Sequence, residues 1–130
     1  MKIQSSDIAN EFVVISPEKT ASLETFTPTL FQELDERYSG FKGHELVSSF
    51  EFNSDWSTWE MHPAGDEIVI LLSGEVTFVL DFDGHHQSAA LQTPGSYVVV
   101  PRGIWHTAKT DRAARMLFIT PGEGTLHKDR

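Results

Sequence analysis

The chain of 130 residues carries a formal net charge of −9, with 22% charged and 39% hydrophobic residues and no cysteine. That length supports one domain with a real core, and no apolar run approaches the ~20 residues of a membrane span. Without cysteine there can be no disulfide, thiolate ligand or cysteine nucleophile, so a bound metal has to be held by histidine, carboxylate or water, and the negative charge argues against nucleic acid as a direct partner.

Residues Met1 to Asp7 lack the apolar stretch and small-residue cleavage site of a secretory signal, so a cytoplasmic location is expected. The apolar run Phe12-Val13-Val14-Ile15 ends at Pro17. From Pro28 to Tyr38 the residues Leu30, Phe31, Leu34 and Tyr38 recur at helical spacing. Thr27 suits an N-cap, Pro28 the first helical position and Ser39-Gly40 the stop. His44 to Phe52 reads as a strand.

Beyond Trp56 the pattern changes to short β segments punctuated by glycine and proline: 56 to 62, 67 to 73, 75 to 82, 86 to 91, 96 to 100, 105 to 110 and 115 to 120. Even spacing with turn signals indicates an all-β sandwich or barrel. Asp83-Gly84 is a two-residue hairpin signal. In the segment before it, Val76, Phe78, Leu80 and Phe82 share one face, while Glu75, Thr77 and Asp81 share the other, as in a half-buried strand. Pro121 to Arg130, rich in glycine and charge, reads as a loose tail or an arm docking on a partner.

Two stretches carry chemistry. Gly95 to His106 has the spacing G-x5-P-x-G-x2-H, a strand that runs into a tight turn and delivers one histidine. Some thirty residues earlier, Glu60-Met61-His62-Pro63-Ala64-Gly65-Asp66-Glu67 is followed after six residues by Gly74. Glu60 and His62 lie two apart on a strand and so point to one face, and Pro63-Ala64-Gly65 can turn the chain so that Glu67 returns near them. Gly95 to His106 matches the second, and Glu60 to Gly74 resembles the first, of the two signatures of the cupin family. In the first signature, G-x5-H-x-H-x3-4-E-x6-G, Glu60 stands where the family has its first histidine and Ser54 where it has its leading glycine.

The resemblance covers roughly Trp56 to Thr110. It implies an all-β, antiparallel jelly-roll barrel with a short N-terminal helix and arm: residues 1–53 complete the barrel, 54–120 form its core and 121–130 a tail, in one domain. It also implies that inward residues of the two motifs share one divalent metal ion. Two histidines with one carboxylate, His62, His106 and Glu67, match the facial triad of non-haem iron sites, and Glu60 makes the set 2-His-2-carboxylate, suited to Fe, Mn or Zn. Asp66 is the competing carboxylate if the turn is shifted by one. The remaining histidines, His44, His85, His86 and His127, have no supporting pattern.

Trp56 shares the parity of Glu60 and His62 and can wall a pocket for a small-molecule ligand, with Tyr97, Arg102 and Trp105 as further substrate contacts. No G-x-S-x-G elbow or phosphate loop occurs. The expected function is metal-assisted enzymology on a small oxygen-containing molecule, dioxygenase-like or isomerase-like. The alternative is a non-catalytic ligand- or metal-sensing module acting through a protein partner. An exposed edge and the N-terminal arm, together with family habit, imply a homodimer.

Overall fold

The structure is a computed structural model that describes residues 3–130. In chain order the elements are β1 (Glu11–Ile15), β2 (Ala21–Thr25), α1 (Leu30–Arg37), β3 (Glu45–Phe52), β4 (Thr58–Met61), β5 (Glu67–Ser73), β6 (Val76–Phe82), β7 (His85–Leu91), β8 (Tyr97–Val100), β9 (Trp105–Lys109), β10 (Ala114–Thr120) and β11 (Leu126–Asp129). They form two antiparallel sheets, a six-stranded one ordered β2-β1-β3-β10-β5-β8 and a five-stranded one ordered β11-β4-β9-β6-β7. The sheets face each other as a jelly roll whose ring is not closed by hydrogen bonds. No helix among the described residues is long and apolar enough to cross a membrane.

Period-2 patterning sets which face is buried. Val69 and Leu71 of β5, Ala114, Met116 and Phe118 of β10, Val76, Phe78 and Leu80 of β6, and Ala108 of β9 point inward and form the main core. A second cluster of Phe12, Val14, Leu30, Leu34, Phe41 and Leu46 holds α1 and β1 against the mouth of the larger sheet. The Asp83-Gly84 turn closes the β6–β7 hairpin as expected, with Phe82 opposite His85. Gly74 ends β5 at φ +81°, and a Cβ there would sit 2.2 Å from the Ala113 carbonyl oxygen, so this motif position accepts no side chain.

The structure departs from the sequence reading at three places. Helix α1 begins after Thr29, not Thr27, and Pro28 stands outside it. The hydroxyls of Thr27 and Thr29 both donate to Glu33 Oε2, at 2.8 and 2.7 Å, which ties the preceding turn to the first helical turn. Second, Ala21–Thr25, where the sequence reading expects no strand, forms β2 as the edge partner of β1. Third, 121–130 is not a loose tail, because Leu126–Asp129 pairs with β4 as an edge strand of the smaller sheet.

The outer face of the larger sheet is apolar. Leu23, Val13, Val47, Ile119, Ile68 and Val99 lie side by side in register across all six strands. The adjacent row carries Leu117, Ile70 and Tyr97.

Candidate metal centre

Register builds most of the site. On the smaller sheet Leu80 pairs with His106, His106 with Glu60, and Glu60 with His127, so one row carries two imidazoles flanking a carboxylate. His62 follows β4 directly, and its carbonyl accepts a 3.0 Å bond from the Gly103 N–H, which fastens the second motif's turn to the first motif's histidine. Glu67 comes from the opposite sheet, at the start of β5, and reaches across the interior. Ligand atoms of Glu60, His62, Glu67 and His106 all lie within 4.8 Å of one another.

The distances define a centre. His62 Nε2 is 2.9 Å from Glu60 Oε1 and 3.3 Å from Glu67 Oε2, and His106 Nε2 is 3.2 Å from Glu67 Oε1. His62, Glu67 and His106 are buried, at 3%, 2% and 0% exposure, and Glu60 is 24% exposed. In spite of these short separations His62 Nε2, His106 Nε2 and Glu67 Oε1 make no hydrogen bond. Three buried polar atoms left without partners at one point are costly unless something else satisfies them.

The far sides of the rings assign the lone pairs. His106 Nδ1 faces the Ile104 carbonyl at 3.1 Å, an acceptor only, so Nδ1 carries the proton and the neutral ring's lone pair is on Nε2. His62 Nδ1 donates to Thr125 Oγ1 at 2.8 Å, since that hydroxyl spends its own proton on the Gly122 carbonyl at 3.0 Å. Both imidazoles therefore present Nε2 to the centre, oriented as metal-ligating histidines are. Thr120 Oγ1 donates to Glu67 Oε2 at 2.6 Å and fixes that carboxylate. The residues present fit a divalent cation.

The charges agree. Burial on its own favours a neutral His62, but the adjacent Glu60 and Glu67 outweigh it and raise the imidazole to about 9. Burial pushes the Glu67 carboxyl up, yet the two imidazoles hold it down to about 2. Without a metal, the two carboxylates thus favour the protonated form of His62, and a bound cation would compete with that proton.

A cavity of about 1090 Å³ adjoins the centre. Its lining includes Glu60, His62 and Glu67 together with Phe50, Phe52, Trp56 and Phe118, and α1 walls it with Phe31, Leu34 and Asp35. Of the four substrate contacts expected from sequence, only Trp56 lines it. Tyr97 is 64% exposed on the outer face of the larger sheet. Trp105 faces away from His106 and carries Lys128 Nζ 4.3 Å over its ring. Arg102 sits on the turn outside the centre, its N–H donating to Asp66 Oδ1 at 2.8 Å, which also takes Asp66 out of competition as a ligand.

His127, passed over in the sequence, belongs here. Its Nε2 lies 3.1 Å from Glu60 Oε2, and it lines the cavity. No local signal could have found it, because its place depends on the pairing of β11 with β4.

An antiparallel jelly roll with histidines and carboxylates gathered inward near one end defines a class of β scaffold with a candidate metal site. The cupin-domain family matches residues 48–120, more than half of the chain, and the chain belongs to the cupin family. Among solved structures it resembles an oxalate oxidase at 20% identity and TM-score 0.54, over 63% of this chain and 45% of that one. It also resembles the oxalate decarboxylase of Bacillus subtilis, a protein with Mn(II) centres, at 19% identity and TM-score 0.51, over 66% of this chain and 23% of that one. A third is hydroquinone 1,2-dioxygenase from Sphingomonas sp. TTNP3, at 17% identity and TM-score 0.50, over 58% of each chain. The chain thus spans under half the length of the oxalate oxidase and about a quarter of the decarboxylase, and at these identities the likeness is one of fold. No curated protein matches the sequence.

Proposed function

We propose that Glu60, His62, Glu67 and His106 hold one divalent metal ion, and that the protein is an enzyme using it on a small oxygen-containing molecule in dioxygenase-like or isomerase-like chemistry. The observation that carries this reading is the convergence of three buried, partnerless ligand atoms with both histidine lone pairs turned to one point. Two carboxylates suit the harder Fe(II) or Mn(II), and Zn(II) also fits the donor set. Such an ion, when bound, polarises or activates an oxygen-bearing ligand at its open positions. The chain's own residues do the rest. Thr125 and the Ile104 carbonyl hold the rings, Thr120 holds Glu67, and the aromatic wall keeps bulk water from the buried side. The His127 Nε2 to Glu60 Oε2 contact can hold a proton between centre and solvent, since His127 is exposed.

Elemental analysis of protein purified without chelator should give about one metal per chain. Turnover is then sought over diketones, phenols, keto acids and sugar phosphates. Stoichiometric metal without turnover favours the sensing module, and no metal overturns the site.

We also propose that two copies pair through the outer face of the larger sheet, supported by the six-residue apolar row across it. Sedimentation at micromolar concentration should show a dimer, and a monomer there refutes the pairing.

A further inference from the structure

We infer that the cavity beside the centre takes an uncharged or singly charged molecule with an aromatic or branched apolar body, oxygen end toward the centre, and rejects small dianions; this rests on the metal reading above. Two observations carry it. The first is the wall: Phe50, Phe52, Trp56 and Phe118 form a continuous aromatic surface, with ring centroids of successive pairs 5.3 to 6.4 Å apart. Rings so spaced offer faces and edges to a flat or branched body. At about 1090 Å³ the cavity is far larger than a two-carbon acid needs.

The second is charge. Asp35, Asp55, Glu60 and Glu67 line the cavity, and among the described residues no lysine or arginine does; Glu51, between the inward Phe50 and Phe52, faces outward opposite Arg115. Arg130 stands beside the mouth, donating to the Trp56 carbonyl at 2.9 Å and lying 3.9 Å from Asp55, so it offsets Asp55 alone. Glu60 and Glu67 cancel the charge of a divalent ion, which leaves the centre without net attraction for an anion. Asp35 then makes the approach repulsive, in a chain already at −9. A dianion would be desolvated in this wall with no cationic side chain to meet it. A neutral body loses nothing by entering. Trp56 Nε1–H, buried without an acceptor, is a donor that an oxygen-bearing ligand can satisfy.

The test uses the full chain, Zn(II)-loaded and metal-free, with metal content measured first. Calorimetry on the loaded protein compares naphthalene-2,3-diol, a neutral chelating probe with an aromatic body, with oxalate, a chelating dianion. The diol should bind at least about tenfold tighter. On metal-free protein the diol should still bind and quench tryptophan fluorescence, whereas naphthalene-2,6-dicarboxylate, the same body with two charges, should not bind. Asp35→Lys should narrow the gap between diol and oxalate severalfold at unchanged metal content. Oxalate binding as tightly as the diol, the dicarboxylate binding as well as the diol, or a gap untouched by Asp35→Lys overturns the inference. Failure to load Zn(II) overturns the metal reading instead, and the metal-free pair of probes still decides this one.

Discussion

The two ends of the space between the sheets are built from the same strands and behave as different materials. At one end Leu71 and Val69 of β5 meet Met116 and Ala114 of β10 and Val76 and Phe78 of β6, all within 3% of full burial. At the other end the same strands turn polar. β5 begins with Glu67, β10 closes with Thr120, and β9 replaces Ala108 by His106 two residues nearer its start. The first end is dry and filled, and it holds the sheets together; the second is hollow and carries costly polar groups. Stability and function are thus separated along each strand by only a few residues.

That separation is open to a direct break. Leu71→Ala empties the filled end and should cost about 3 to 5 kcal/mol of unfolding free energy, while folded protein keeps its metal content. The double substitution His62→Ala, His106→Ala should lower metal affinity at least about 100-fold, more than loss of an outer-shell partner does, and leave the metal-free circular dichroism spectrum unchanged. Denaturant titration and elemental analysis, run on both variants, give four numbers. A Leu71→Ala protein that folds but no longer binds metal, or a double-histidine variant that does not fold, would show that the ends are not independent.

A pH series sharpens the contrast, because only the hollow end titrates. The His62 imidazole is raised from 6.5 to about 9, so its contribution to the metal-free protein is complete below about pH 6.5 and is lost as pH rises through 9. Glu67 is lowered from 4.5 to about 2, so its contribution is present above pH 4.5 and is lost as pH falls toward 2. The metal-free protein should hold a Tm plateau between about pH 4.5 and 6.5, then lose up to about 3 kcal/mol by pH 9, at about 1.4 kcal/mol per tenfold change in proton affinity. A bound cation takes the place of the His62 Nε2 proton, so metal stabilisation should grow over the same range and roughly one proton should leave per ion at pH 7. Calorimetry in buffers of different ionisation enthalpy reads that proton directly. Parallel Tm curves for loaded and metal-free protein would exclude His62 as a ligand.

How much of this was legible follows the same divide between local and long-range causes. The inward alternation of β6, the Asp83-Gly84 hairpin and the shared face of Glu60 and His62 are effects of neighbours in sequence, and each was read correctly. The return of Glu67 followed from the Pro63-Ala64-Gly65 turn, whereas the convergence of His106 on them came only from the resemblance, since nothing local reports which strands pair. Parity could have removed two of the substrate contacts. Trp105 is adjacent to an inward histidine, and Tyr97 alternates with Val98 and Val100, which point inward. Strand β11 was not legible at all: Leu-His-Lys-Asp is exposed throughout, and backbone pairing with β4 rather than side-chain burial orders it. Thr120 and Thr125 were missed for the same reason, as each is defined by a partner more than fifty residues away.

The smallest expected effect isolates that last strand's share in the hollow end. His127 touches the centre only through Glu60 Oε2, at 3.1 Å, and is more than half exposed, so its removal leaves the three buried ligand atoms and their supporting hydrogen bonds in place. Orientation of Glu60 alone should suffer. His127→Gln keeps a donor near that carboxylate and should change metal affinity by less than about twofold, whereas His127→Ala should weaken it by up to about tenfold, the lower end of what loss of an outer-shell partner costs. Competition against a chelator of known affinity resolves the two. Equal losses in both variants would mean that the imidazole itself, and not the hydrogen bond to Glu60, matters; no loss in either would mean that Glu60 is held by the backbone of β4 and by the ion, with β11 serving only to cover the sheet edge.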